Sequence, residues 1–368
     1  MRWIIVCTAL LNAQDVKPDT QALAAKLASV RSYKVLPAPD FLQIQNAAIS
    51  WIDSRLRAGV PVEAINAELR IGGIIQPKQP ERKETDDVFI SFMGYLSPAS
   101  METMPGENDL RVVRFGVGVM CGYAETALIY HRQPLRLIGR LDHHDRDSQG
   151  GQGFSQIRAG GGIIASGTFT EWCTSSYIGI NLRVDRVEDG KLRTLLNQHM
   201  PARFMERPES LIKTSIQGNV VTFLYTASMA DGAYMARPAI ARYLVSGNAA
   251  TRIAPIALSR MGFVDEWLRL APGEAAKYAS PNALAARAGA NALFEKNYFS
   301  FDVIRDCGNS TWEVALSPPM DYKEASPHFY VLVSGTTASK LRVVRADRQP
   351  QTGCVAASRD MLSAPLPQ

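Results

Sequence analysis

Past its first eleven residues the chain has no apolar run of 18 residues, the length that a membrane-crossing helix requires. No transmembrane segment is therefore expected in the mature chain. None of its five cysteines stands in a C-x-x-C pair, which argues against zinc fingers and thioredoxin-like redox chemistry. Like charges never run five or six together: 40 basic and 35 acidic residues are spread along the chain, for a formal net charge of +5. With no helix-turn-helix, zinc-finger or RNA-recognition pattern beside that mild charge, nucleic acid is not an expected partner. A G-x-S-x-G elbow is missing, and the one S-x-x-K match, Ser210-Leu-Ile-Lys213, lacks its S-D-N and K-T-G companions, so it reads as a strand start. The glycine-rich stretches Gly150-Gly151-Gln152-Gly153 and Gly160-Gly161-Gly162 lack the lysine and following helix of a phosphate loop. They read as flexible turns, and no cofactor is expected.

What is present is the composition of a folded protein, 46% hydrophobic and 20% charged over 368 residues. A compact chain of this size removes roughly three quarters of its unfolded surface from water, so folding needs neither metal nor disulfide. Met1-Arg2 precedes a nine-residue apolar run, Trp3 to Leu11, and a small residue follows at Ala13. This pattern is a short version of a secretory signal peptide over residues 1–14, preferred here to a buried first strand. Cys7 does not fit lipid attachment, because Val6 stands where a small residue belongs. Export leaves Cys121, Cys173, Cys307 and Cys354, an even number that suits an oxidising compartment. The expected pairing is Cys121 with Cys173 and Cys307 with Cys354. The expected location is secreted or periplasmic, and cytoplasmic if the N-terminus is instead a strand.

Within the N-terminal helical region, residues 15–75, Phe41, Ile44, Ala48, Trp51, Ile52 and Leu56 recur at three- and four-residue steps, as on one face of a helix. A second helix follows, with Pro61 in its first turn, Ile65 and Leu69 on its apolar stripe, and Gly72-Gly73 as its stop. Residues 76–87, with Pro77 and Pro80 among charges, read as a linker.

From residue 88 to 368 the period changes to two. Similar strand-turn-strand stretches occur at 127–138, 180–195, 241–253 and 330–344. Cys121, Cys173 and Cys307 stand in similar settings, and the first two lie 52 residues apart, close to the length of a four-stranded propeller blade. Segments around Phe263 and Asn282 have helical character and form an insertion at about 263–297. The expected fold is mainly β with α-helical additions: repeated antiparallel hairpins, in a β-propeller-like array favoured over a β-sandwich or barrel. The helical hairpin and the insertion should pack on the outside of this array.

Two sets of residues have chemistry to offer. His143, His144, Asp145 and Asp147, in the Asp142–Asp147 run, carry metal-ligating groups, but their spacing matches neither an EF-hand nor H-E-x-x-H. An exposed loop without a tightly held metal is expected there. Glycoside hydrolysis needs two carboxylates facing across a cleft, and Glu125, Glu171, Asp265 and Glu266 qualify as candidates by lying beside aromatic or cysteine-bearing segments. The sequence points first to an exported, non-catalytic protein that binds an extracellular ligand or protein through loops on a rigid β scaffold. The alternative is an exported hydrolase of saccharide or peptide material that works through paired carboxylates.

Overall fold

The structure is a computed structural model that describes residues 20–33, 36–76, 92–142, 150–170, 178–202, 212–228, 236–296, 300–317 and 328–357. It is mainly β with some helices, as the change of period at residue 88 leads one to expect. Three helices come first: α1 (Thr20–Ala28), α2 (Ala38–Arg57) and α3 (Val62–Ile71). All six residues of the predicted stripe on α2 are buried, as are Ile65 and Leu69 on α3. Pro61 sits one position earlier than expected, as the extended N-cap of α3, where its fixed φ starts the helix and its missing N–H costs nothing. Helix α1 lies in the 15–75 stretch read as helical, but no residue pattern marks it out as a helix of its own. It is only nine residues long, with two buried leucines, too short to display a convincing helical period.

Among the described residues seventeen strands follow, grouped in four antiparallel meanders. The first contains β1 (Ser100–Thr103), β2 (Leu110–Val119), β3 (Cys121–His131) and β4 (Arg136–Asp142). The second contains β5 (Gly150–Gly160), β6 (Ile163–Thr170), β7 (Ile178–Glu188) and β8 (Lys191–Ala202). A short parallel contact, Cys121 with Gly150 and Ala124 with Gln152, joins these two into an eight-stranded sheet. The third runs β12-β11-β10-β9, built from β9 (Lys213–Gln217), β10 (Val220–Ser228), β11 (Ala236–Ser246) and β12 (Ala249–Ile253). Helices α4 (Arg260–Arg269), α5 (Pro272–Ala275) and α6 (Pro281–Lys296) come next, in the place read as an insertion. The fourth sheet runs β16-β15-β14-β13-β17, from β13 (Ser300–Gly308), β14 (Thr311–Ser317), β15 (Phe329–Ser334), β16 (Arg342–Asp347) and β17 (Val355–Ala356). Among the described residues no sheet closes on itself.

The four hairpins read from the sequence are β3–β4, β7–β8, β11–β12 and β15–β16, the third and fourth strands of the four meanders. The cysteine settings are not equivalent in this way. Cys121 opens the third strand of its sheet, whereas Cys307 lies near the end of the first strand of its own, and Cys173 lies outside the described residues.

Alternation along the strands determines how the sheets stack. On β6, Ile164 enters a core shared with Val112, Ala127 and Ile129 of the first sheet, while Ile163 and Ala165 enter a core shared with Val221, Phe223 and Tyr243 of the third. The second sheet is therefore covered on both faces, which is why β6 opens with the apolar run Ile163-Ile164-Ala165 before Ser166 and Thr168. At Gly139 the first two sheets approach so closely that a Cβ would come within 2.6 Å of Leu192. Helices α1–α3 cover the other face of the first sheet, against Phe115, Leu128 and Tyr130, and α4–α6 cover the fourth sheet against Val314, Val331 and Val343. The β7–β8 turn uses Asp189 (φ 49°) and Gly190 (φ 67°), the two left-handed residues of a twist-matched hairpin.

Candidate functional site

The seam between the first and second sheets turns polar beyond its apolar core. Arg114 on β2 and Glu125 on β3 lie diagonally across their strand pair and meet through two contacts, Nε to Oε1 at 2.8 Å and Nη2 to Oε2 at 3.0 Å. The same pair grips the backbone of β5. Phe154 N–H donates to Glu125 Oε2 (2.8 Å) and Arg114 Nη2 donates to the Phe154 carbonyl (3.0 Å). Glu125 is thus a tie between two sheets, with both oxygens taken up by donors.

Strand β7 supplies the next group, because Asn181, Arg183 and Asp185 alternate with the buried Ile180, Leu182 and Val184. Asp185 is fully buried and receives Arg183 Nε at 2.8 Å and the Thr194 hydroxyl of β8 at 2.7 Å. Arg183 also donates to the Arg140 carbonyl of β4 (3.4 Å), which extends the network into the first sheet. Opposite Arg183 and Asn181 in the register stand Ser166 and Thr168 of β6. Their buried hydroxyls have no hydrogen-bond partner among the described residues. At the end of this row His199 Nδ1 lies 2.9 Å from Asn181 Oδ1.

A second buried polar group sits where α4 meets the third sheet. Glu266 pairs with Arg252 of β12 at 2.6 Å, and both side chains are at least nine-tenths buried. Tyr243 stands beside Arg252 in the strand register and donates its hydroxyl to Gln198 of β8. Burial pushes the Tyr243 phenol up, with Arg252 opposing and Glu266 reinforcing. Burial also works against the Arg252 cation, but Glu266, Tyr243 and Tyr225 outweigh it and raise its pKa. Asp265, the neighbour of Glu266 on α4, is buried and paired with Arg269 one helical turn away at 3.1 Å.

The candidate carboxylates therefore fall into separate places: Glu125 between the first two sheets, Glu266 between α4 and the third sheet, and Asp265 against its own helix. Each described candidate faces an arginine. Glu171 lies outside the described residues, as do His143, His144, Asp145 and Asp147. Among the described residues there is no group of three or more His, Cys, Asp or Glu placed to hold a metal. The sequence reading missed Asp185 and Arg252. The Arg183-Val184-Asp185 spacing does place an arginine and an aspartate on one strand face, but strand periodicity alone does not reveal that a second sheet covers that face.

Cys307 and Cys354 form a disulfide, with Cα atoms 4.1 Å apart, as the cysteine count suggested. The expected Cys121–Cys173 bridge involves a residue outside the described set. No protein-family model matches this chain, and no curated protein matches it.

Proposed function

We propose that this protein is an exported, secreted or periplasmic binding protein, non-catalytic, whose four meanders form a propeller-like array that presents loops to an extracellular ligand or protein. The observation that carries this reading is the use made of the candidate carboxylates. Glu125 and Glu266 serve as ties within buried seams: both oxygens of Glu125 are held by Arg114 and the Phe154 amide, and Glu266 pairs through Oε1 with Arg252. Such groups build a rigid scaffold, and recognition on rigid β scaffolds resides in the connecting loops. The equivalent positions of the four hairpins favour the propeller-like arrangement, which rests on them and no longer on the cysteine spacing. The Cys307–Cys354 bridge suits an oxidising compartment, in keeping with export.

The test is to incubate the purified chain with libraries of oligosaccharides and peptides and to analyse what it retains by mass spectrometry. One ligand class should be retained saturably and recovered unaltered. Recovery of cleaved products, with cleavage lost in Glu125→Gln or Glu266→Gln, would replace this reading with the hydrolase.

A further inference from the structure

We infer that residues 352–357 are a strap held on the open edge of the fourth sheet by the Cys307–Cys354 disulfide, and that a dithiol reductant releases it. This goes beyond the binding reading and does not depend on it. The strap contains β17, whose two residues pair with Asp306 and Arg305 of β13, and the Ala357 amide adds a hydrogen bond to the Ile304 carbonyl at 2.9 Å. Very little apolar surface supports this pairing. Val355 is 67% exposed and Ala356 is exposed, which leaves Ala357, packed against the core of the fourth sheet, to supply the contact. Two exposed residues cannot offset the entropy of ordering a chain segment on their own.

The chain just before the strap is held in a different way. Asp347 accepts the Gln349 amide at 2.7 Å, Arg345 donates to the Gln349 carbonyl at 3.2 Å, and the fully buried Glu313 accepts the Gln351 amide while pairing with Arg305 and Arg345. These ties are side-chain contacts to β14, β15's neighbour β16 and β13, and none of them needs the disulfide. Beyond Gln351, among the described residues, the strap is tied by the bridge and the short pairing alone. Cys307 and Cys354 are both partly exposed and flanked by exposed Asp306, Gly308, Gly353 and Val355, so a reductant can reach the bond.

The exchange balances. One thiolate of the dithiol attacks one sulfur of the bridge, forming a mixed disulfide and expelling the other cysteine as thiolate. The second thiol of the reductant then attacks that mixed disulfide, freeing the remaining cysteine and closing the reductant into its own disulfide. Two electrons and two protons pass to the protein. Release of the strap uncovers the Ile304–Asp306 edge of β13, a row of backbone groups able to accept an extended segment.

Hydrogen exchange read by mass spectrometry tests this on the full chain, as purified, after treatment with dithiothreitol, and in a variant carrying Cys307→Ser and Cys354→Ser. The variant leaves the other cysteines untouched, so agreement between it and the reduced protein assigns the effect to this bridge. Exchange in residues 352–357 should quicken roughly tenfold or more, while β14 and β15 stay protected on the same timescale. If the variant does not fold, the reduced native chain decides alone. Unchanged exchange in the strap overturns the inference, because the pairing then holds without the bridge. Faster exchange throughout β14 and β15 also overturns it, because the bridge would then be a staple of the whole sheet.

Discussion

The second sheet meets its two neighbours with different chemistry on its two faces. Toward the third sheet it presents Ile163, Ala165, Ile180, Leu182 and Val184, and the seam is filled by Val221, Phe223, Tyr225, Ala241 and Tyr243. Toward the first sheet the same strands present Ser166, Thr168, Asn181, Arg183 and Asp185 beside the apolar Ile164. Both faces are buried, so water does not explain the difference. An apolar seam gains free energy from area and tolerates small slips, whereas an ion pair or hydrogen bond in a dry seam is favourable in one register only. The apolar seam supplies adhesion, and the polar seam fixes how the first sheet sits on the second. Arg114 and Glu125 act in the same sense, since they hold both backbone groups of Phe154.

If this division is right, the largest loss comes from the apolar seam. Phe223 is fully buried and packs edge-on against Tyr243, with ring centroids 6.2 Å apart, so Phe223→Ala should cost about 4 kcal/mol in urea denaturation. A loss under about 1 kcal/mol would mean that this seam does not carry the adhesion. In the polar seam, Asp185→Ala leaves Arg183, with 11% of its side chain exposed, facing a dry interface without its carboxylate, at a cost of about 3 kcal/mol. The comparison sharpens if Asp185→Ala and Arg183→Met are combined. The double variant should recover much of the loss, because it removes the uncompensated charge as well as the pair, and failure to recover would mean that the bond from the Thr194 hydroxyl to Asp185, and not the arginine, carries most of it. Glu125→Gln keeps the shape of its side chain but removes its charge and turns one accepting oxygen into an NH2 that cannot accept from Arg114 or Phe154, so about 1.5 kcal/mol is expected from the same measurement.

What could be read from the sequence, and what could not, follows the same division. The stripe from Phe41 to Leu56 and the four hairpins depend on local period and turn chemistry, and these are carried by contiguous residues. The Cys307–Cys354 bridge followed from an even count and a choice among few pairings. The inter-sheet ties depend on residues far apart in the chain. Glu125 stands out for the cysteine and aromatic residues near it, yet its role is set by Arg114 and Phe154, and nothing in the local sequence names Phe154 as a partner. Glu266 stands out beside Trp267, but its partner Arg252 lies in another element. Asp185 is hidden inside a hairpin that is itself legible, because the alternation that reveals a strand does not say which face is covered by a second sheet.

Tyr243 provides the finest test, since it is the point at which the apolar seam becomes polar. Its ring belongs to the core between the second and third sheets, while its hydroxyl donates to Gln198 and lies near Arg252 and Glu266. Replacing it with phenylalanine keeps the ring and removes one hydrogen bond, so Tyr243→Phe should cost about 1 kcal/mol at pH 8. The pH dependence of that cost separates a packed phenol from a merely neighbouring one. Burial raises the phenol's pKa in the folded chain, with Arg252 opposing and Glu266 adding to the rise, so the fold favours the neutral hydroxyl. Its contribution is therefore complete below the unfolded value of about 10 and is lost as the pH climbs through the higher folded value. Above pH ~10 the native protein should lose stability faster than the variant, by up to about 1.4 kcal/mol per pH unit, and the gap between them should close. Other raised phenols, Tyr123, Tyr130 and Tyr278, are present in both proteins and cancel in the difference. Urea denaturation of both proteins at pH 8 and near pH 10.5 reads the effect. A gap that widens with pH would mean that the phenolate is welcomed beside Arg252, and the seam at Tyr243 would then belong with the polar seam.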